Sequence, residues 1–315
     1  MWALNVDPGI LVAHEKWPMQ LQGLSPTKMR RIRTLALISY FRLPEQGMKE
    51  YEVLSRASAF AVRSVKNRGN QVGGNDDTTT FAFSAHVAAP YLFPKLFPEA
   101  QDWLQFVETK HVRCFIQVNG EDTAVLHPVE NIDRHKTRDL AVGSVRNDIY
   151  SSLRDRDLDL EHFIIDPNLT VNEGDSLICD GYAVGDDTDG DKSDQNEDRR
   201  DLWKNAVKAR FLCQTPHQLF VSTDEALPMG MCGCPVVAET PIDEHGWKAK
   251  EESDRIEESP SSFALGMVEG SVPVGTVCSG PLGAILKNHH AAVCVEPSEI
   301  HSLLTREEGK FERVG

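Results

Sequence analysis

Three short segments hold the residue types that can carry out acid–base and nucleophilic chemistry together. Phe83-Ser84-Ala85-His86-Val87-Ala88-Ala89-Pro90 places a histidine at the end of a β-type run. Asp133-Arg134-His135-Lys136-Thr137-Arg138-Asp139-Leu140-Ala141-Val142 places a carboxylate ahead of an apolar run. Gly230-Met231-Cys232-Gly233-Cys234-Pro235-Val236-Val237 sets a thiol between glycines. A nucleophile needs a base beside it, and the base needs a group to orient it. His86 suits the base because imidazole titrates near neutrality. Asp139 suits the orienting carboxylate, and Cys232 the nucleophile. The glycines permit a tight turn whose backbone N–H groups, those of Gly230 and Cys232, can meet a developing oxyanion. A thiol reacts as its thiolate, so the expectation is a Cys232 with lowered pKa that alkylates faster than the other cysteines.

Such residues must be held by a scaffold, and the sequence around them is mostly of β character. Short runs rich in β-branched and aromatic residues lie at 57–65, 78–83, 112–118, 176–179, 207–213, 235–238, 263–268 and 291–295. Asn119-Gly120 is a hairpin signal, with 123–126 as the returning strand. Many short strands with turn signals indicate a sandwich or barrel. Residues 1–55 read as an irregular extension with helix-like stretches near 26–40 and 44–55. Residues 92–106 read as a short helix or loop insertion. The stretches 186–201 and 241–262 are polar and acidic and offer no face to bury, so both are expected as exposed loops.

Composition bounds the partners. The chain has 315 residues with 33 basic and 48 acidic side chains, a formal net charge of −15. That balance argues against binding nucleic acid or an anionic membrane, both of which need clustered Lys and Arg. No apolar run approaches the ~20 residues of a membrane span. The extreme N-terminus lacks a secretory layout, while the basic stretch at 28–33 leaves an organelle leader open. The seven cysteines, Cys114, Cys179, Cys213, Cys232, Cys234, Cys278 and Cys294, are scattered without a Cys-x-x-Cys pair. Neither a disulfide framework nor a four-cysteine zinc site is expected, and the reading is an intracellular, cytoplasmic protein. Asp187-Thr188-Asp189-Gly190-Asp191 spaces oxygen ligands as a calcium loop does. Lys192 nevertheless stands where such a loop needs its glycine, and no helices flank it, so no metal or cofactor is expected.

In their order, the three segments resemble the triad segments of chymotrypsin-like (trypsin-like) serine and cysteine proteases, most closely the HtrA/Deg-type protease domains. Those read Thr-x-x-His-Val, Asp-Leu-Ala-Val and Gly-x-Ser-Gly-x-Pro-Val. The stretch from Gly174-Asp175 to Gly181-Tyr182 resembles that family's glycine–aspartate, strand, glycine–tyrosine segment. The resemblance covers about residues 56–305 and implies an all-β fold of two six-stranded antiparallel β-barrels. The first lobe would span 56–160 with His86 and Asp139, and the second 161–305 with the nucleophile. Residues 306–315 would form a charged, frayed tail, which leaves no room for a PDZ module. The resemblance also implies that Ala226 and the strand Leu265-Gly266-Met267 line the primary pocket. With no charge at Ala226, that pocket suits a small-to-medium apolar side chain. Cys232 stands in place of the family's serine, Cys234 in place of a common glycine, and Thr78-Thr79-Thr80-Phe81 where Gly-Ser-Gly-Phe is common. Two functions follow. One is an endopeptidase acting on a polypeptide substrate through a Cys-His-Asp triad. The other is a catalytically inactive protease-fold scaffold or peptide-binding subunit. In either case the N-terminal extension could serve a protein partner.

Overall fold

The computed structural model describes residues 29–64, 77–119, 124–185, 202–215, 218–239, 262–272, 274 and 290–314. The first lobe contains β1 (Arg30–Ile32), β2 (Leu35–Phe41), β3 (Glu52–Ser64), β4 (Thr78–Phe83) and β5 (Val112–Asn119). It continues with β6 (Ala124–Pro128), β7 (Glu130–His135), β8 (Ala141–Arg146), β9 (Leu158–Leu160) and β10 (His162–Ile165). Three short helices accompany them: α1 (Ala85–Ala88), α2 (Gln101–Leu104) and α3 (Ile149–Arg154). The antiparallel path runs β7-β8-β4-β3-β2-β5-β6. Its two ends are halves of one bent segment, because only Val129 separates β6 from β7. The Val129 N–H still donates to Cys114 O at 2.9 Å. The chain itself thus links the two ends of the sheet, which curls into a half-barrel, a ring that no strand pairing closes. Its interior holds Leu35, Leu37, Ala57, Ala59, Phe81, Phe83 and Ile116.

The second lobe contains β11 (Ser176–Val184), β12 (Leu202–Gln214), β13 (Leu219–Thr223), β14 (Pro235–Ala238), β15 (Ser262–Phe263), β16 (Gly266–Val272) and β17 (His290–Val295). It ends with α4 (Pro297–Leu304) and β18 (Phe311–Arg313). Six of these strands form a closed barrel in the order β11-β12-β13-β17-β16-β14. The alternation along β12 explains the closure. Val207, Ala209 and Phe211 point inward between exposed Lys208 and Arg210. A strand that is apolar on one face must bury that face against partners. A third apolar cluster joins the lobes, with Phe60, Val62 and Phe163 from the first meeting Val237, Met267 and Val295 from the second. Ile300 and Leu303 of α4 cover it. This is the all-β, two-barrel architecture that the resemblance implies. Among the described residues, no helix is long and apolar enough to cross a membrane.

Several sequence expectations need correction. Residues 35–41 and 52–55, read as helix-like parts of an extension, form β2 and the start of β3, and only Pro44–Gln46 makes a single 3₁₀ turn. The first lobe thus begins well before residue 56. The cause is burial on both faces: Leu35 and Leu37 enter the ring while Ala36 and Ile38 are also buried, so no alternation marks the strand. Residues 162–165, assigned to the second lobe, run parallel to β3. The C-terminal tail is not frayed through 313. β18 pairs with β7, and Arg313 and Arg306 both reach buried Asp133, at 3.0 and 3.1 Å. Residues 1–28 and the expected loops at 186–201 and 241–261 lie outside the described residues, and Ser262 opens β15.

Candidate active site

His86 sits on α1, immediately after β4 has delivered the chain to one end of the first ring. The helix is a single turn, so it cannot orient the imidazole by itself, and Asp139 does so instead. One carboxylate oxygen accepts the His86 backbone N–H at 2.7 Å, and the other lies 2.6 Å from His86 Nδ1. Asp139 comes from the loop between β7 and β8, and both residues are buried. Because a carboxylate can only accept, Nδ1 carries the proton and Nε2 is left as the acceptor. Phe93 and Phe97 approach the imidazole edge-to-face, with centroids 6.3 and 6.1 Å away. They come from the run of 3₁₀ turns after α1, Pro90–Leu92, Pro94–Leu96 and Pro98–Ala100, which occupies the insertion expected at 92–106.

Cys232 comes from the second barrel, in the turn that leads into β14. Gly230 takes φ +92°, a left-handed conformation that side chains other than glycine rarely adopt, and this tightens the turn. The turn is docked onto the first lobe by Ser58 of β3. The Ser58 N–H donates to Cys232 O at 2.9 Å, its hydroxyl donates to Gly230 O at 2.9 Å, and its Oγ accepts from Tyr182 N–H at 2.8 Å. Gly233 packs so closely that a β-carbon there would stand 3.0 Å from Ser84 N, two residues ahead of His86. The turn that carries Cys232 and the start of α1, which carries His86, thus meet at the junction of the lobes. Among the described residues, the N–H groups of Gly230 and Cys232 donate to no backbone carbonyl, whereas those of Met231, Gly233 and Cys234 do.

The electrostatics differ from the sequence expectation. Burial, and then the negative charges of Asp139 and Glu269, push the half-buried Cys232 thiol up to about 12, against the pull of its own backbone N–H. A preformed thiolate with lowered pKa is thus not what the surroundings favour. Burial also pushes Cys114 up to about 12 and raises Cys213, Cys234 and Cys294. Cys278 lies outside the described residues.

Most of the residues expected to line a primary pocket are buried in the core. Leu265 and Met267 are 1% and 0% exposed and belong to the apolar clusters, and Gly266 is buried between them. Ala226 is exposed on the loop after β13. The more open part of β16 lies further on, at Glu269, Gly270 and Ser271.

Two site residues were not anticipated, Ser58 and Glu269. The signal for Ser58 was a lone hydroxyl in the run Ala57-Ser58-Ala59-Phe60-Ala61, which must find partners once the strand is buried. Ser58→Ala would leave Gly230 O and the Tyr182 N–H without that partner. The expected cost is about 1–3 kcal/mol, read as a lower denaturation midpoint at unchanged m-value. A midpoint equal to that of the wild type would mean that Ser58 does not dock the turn.

No protein-family model and no curated protein matches the chain. Among solved structures, it is similar to the inactive form of a serine-to-alanine mutant of Rv3671c from M. tuberculosis H37Rv. The identity is 12%, the alignment covers 86% of this chain and 85% of that one, and the TM-score is 0.39. The closed six-stranded barrel and the half-barrel beside it form an all-β fold of the chymotrypsin-like type.

Proposed function

We propose that this chain is an endopeptidase that cleaves peptide bonds through Cys232, His86 and Asp139. One observation carries the reading: Asp139 grips His86 at both the backbone and the ring, in the tautomer that leaves Nε2 free to take a proton. Burial and the nearby carboxylates raise the Cys232 thiol, so the step is drawn as in a serine protease, with proton and attack together. Cys232 Sγ attacks the carbonyl carbon as its proton passes to His86 Nε2. The carbonyl oxygen becomes an oxyanion against the Gly230 and Cys232 N–H groups. His86 returns the proton to the leaving amine, the C–N bond breaks, and an acyl-thioester remains on Cys232. Water, deprotonated by His86, then hydrolyses the thioester and restores the thiol. The substrate is a polypeptide, and no cofactor or metal is required for any step.

A second reading, an inactive scaffold or peptide-binding subunit of the same fold, draws on the raised Cys232 thiol. The deciding experiment incubates the full chain with a mixed-sequence fluorogenic peptide library and looks for the acyl-enzyme by mass spectrometry after acid quench. Under the endopeptidase reading, hydrolysis and an adduct on Cys232 appear, and both vanish in Cys232→Ala. Peptide binding without either would establish the scaffold.

The pH dependence of alkylation supplies a separate check. Far below its pKa, a thiol's ionised fraction rises about tenfold per pH unit. With the thiol at about 12, iodoacetamide labelling of Cys232 should climb from pH 7 to pH 10 without levelling. A plateau below pH 8 would show a thiolate pair with His86 instead.

A further inference from the structure

Glu269 lies on β16 where the strand departs from regular pairing. The register with β17 shifts between Val268 and Gly270, so Glu269 is the extra residue of a bulge. A bulge re-aims the side chain it carries, and bulges recur beside active sites. Here the carboxylate turns toward the first lobe. Its Oε1 accepts the Asp139 backbone N–H at 3.1 Å, and its Oε2 accepts from Gln218 Nε2 at 3.2 Å. Gln218 is itself fixed, its N–H donating to Thr215 Oγ1 and its carbonyl accepting the Thr215 N–H. A chain of contacts thus runs Gln218–Glu269–Asp139–His86, crossing from the second lobe to the first.

We propose that Glu269 is a positioning residue that clamps Asp139 across the lobe boundary. Asp139 belongs to a loop, where no helix or strand bond fixes its backbone, and its own side chain is spent on His86. The Glu269 contact supplies the missing restraint. The titratable groups around the clamp are Asp139 and His86 from the first lobe, and Cys232 and Cys294 from the second. The Glu269 charge is felt by both thiols: it opposes ionisation of Cys232 alongside Asp139, and of Cys294 alongside burial and Cys179.

Two variants of the full chain separate the clamp from the charge. Glu269→Gln keeps an oxygen for the Asp139 N–H and turns its amide toward Gln218, whose own amide can flip to accept. Glu269→Leu removes both. In both variants, iodoacetamide labelling of Cys232 at pH 8 should rise, by about tenfold for each pKa unit lost. Turnover in Glu269→Gln should stay within about threefold of the wild type, while kcat in Glu269→Leu should fall on the order of 10- to 100-fold with KM little changed, as a displaced catalytic group gives. The inference rests on the endopeptidase reading only for turnover. Absence of hydrolysis in the wild type would refute that reading and leave the labelling arm to decide the charge. Labelling unchanged in both variants overturns the charge role, and equal loss of kcat in the two overturns the clamp.

Discussion

Asp139→Asn should lower peptide turnover by about 10⁴-fold without unfolding the protein. The reason lies in what the two oxygens of Asp139 accept. One takes the His86 backbone N–H at 2.7 Å, and a backbone amide cannot become an acceptor. In the variant, the side-chain oxygen must therefore stay on that N–H, and the NH₂ group must face His86 Nδ1. Two donors cannot share that contact, so the imidazole gives up its Nδ1 proton and carries it on Nε2. The ring would then present a proton to Cys232 where it needs a lone pair. The effect belongs to kcat, because nothing in substrate binding has changed. Steady-state kinetics beside a thermal melt would check it. A variant that melts like the wild type and turns over within tenfold of it would show that His86 is not the base.

The three residues were legible in the sequence, and the reason is locality. His86, Asp139 and Cys232 each lie in a short segment whose neighbours announce its geometry: a strand end, an Asp before an apolar run, and a thiol between glycines. Ser58 and Glu269 have no such neighbours. Ser58 meets Gly230 across 172 residues, and Glu269 meets Asp139 across 130, so their roles exist only once the two lobes have met. The same distinction runs through the fold. β12 shows its inward face by alternation because its other face is wet. β2 buries Leu35 and Leu37 in the first ring while Ala36 and Ile38 are also buried, which erases the alternation. The burial of the expected pocket wall has a related cause. Leu265 and Met267 look like a strand available to substrate, yet they are core, and the bulge at Glu269 moves the open stretch onward to Gly270 and Ser271. A bulge is a two-strand property that one strand's sequence does not declare.

The junction of the lobes is also where the largest loss of stability is expected. Gly233 takes φ +81°, and a β-carbon built on it would lie 2.3 Å from Ser58 O, 3.0 Å from Ser84 N and 3.3 Å from Phe83 Cα. All three atoms are backbone, held in β3 and at the end of β4, so none can swing aside as a side-chain tip would. Gly174 provides the matched control, with φ +83° and nothing within 4 Å of its β-carbon. Gly174→Ala meets only the left-handed penalty, roughly 1–2 kcal/mol. Gly233→Ala meets that penalty and must also part the turn from the first lobe. That would strain the Ser58–Cys232 and Ser58–Gly230 bonds and carry Cys232 away from the first lobe. A total of several kcal/mol is expected, a fall in Tm on the order of 10 °C, with turnover lost even at temperatures where the fold survives. The difference between the two alanine variants isolates the collision from the conformational cost. If Gly233→Ala proves no more damaging than Gly174→Ala, the Cys232 turn does not sit against Ser58 and Ser84.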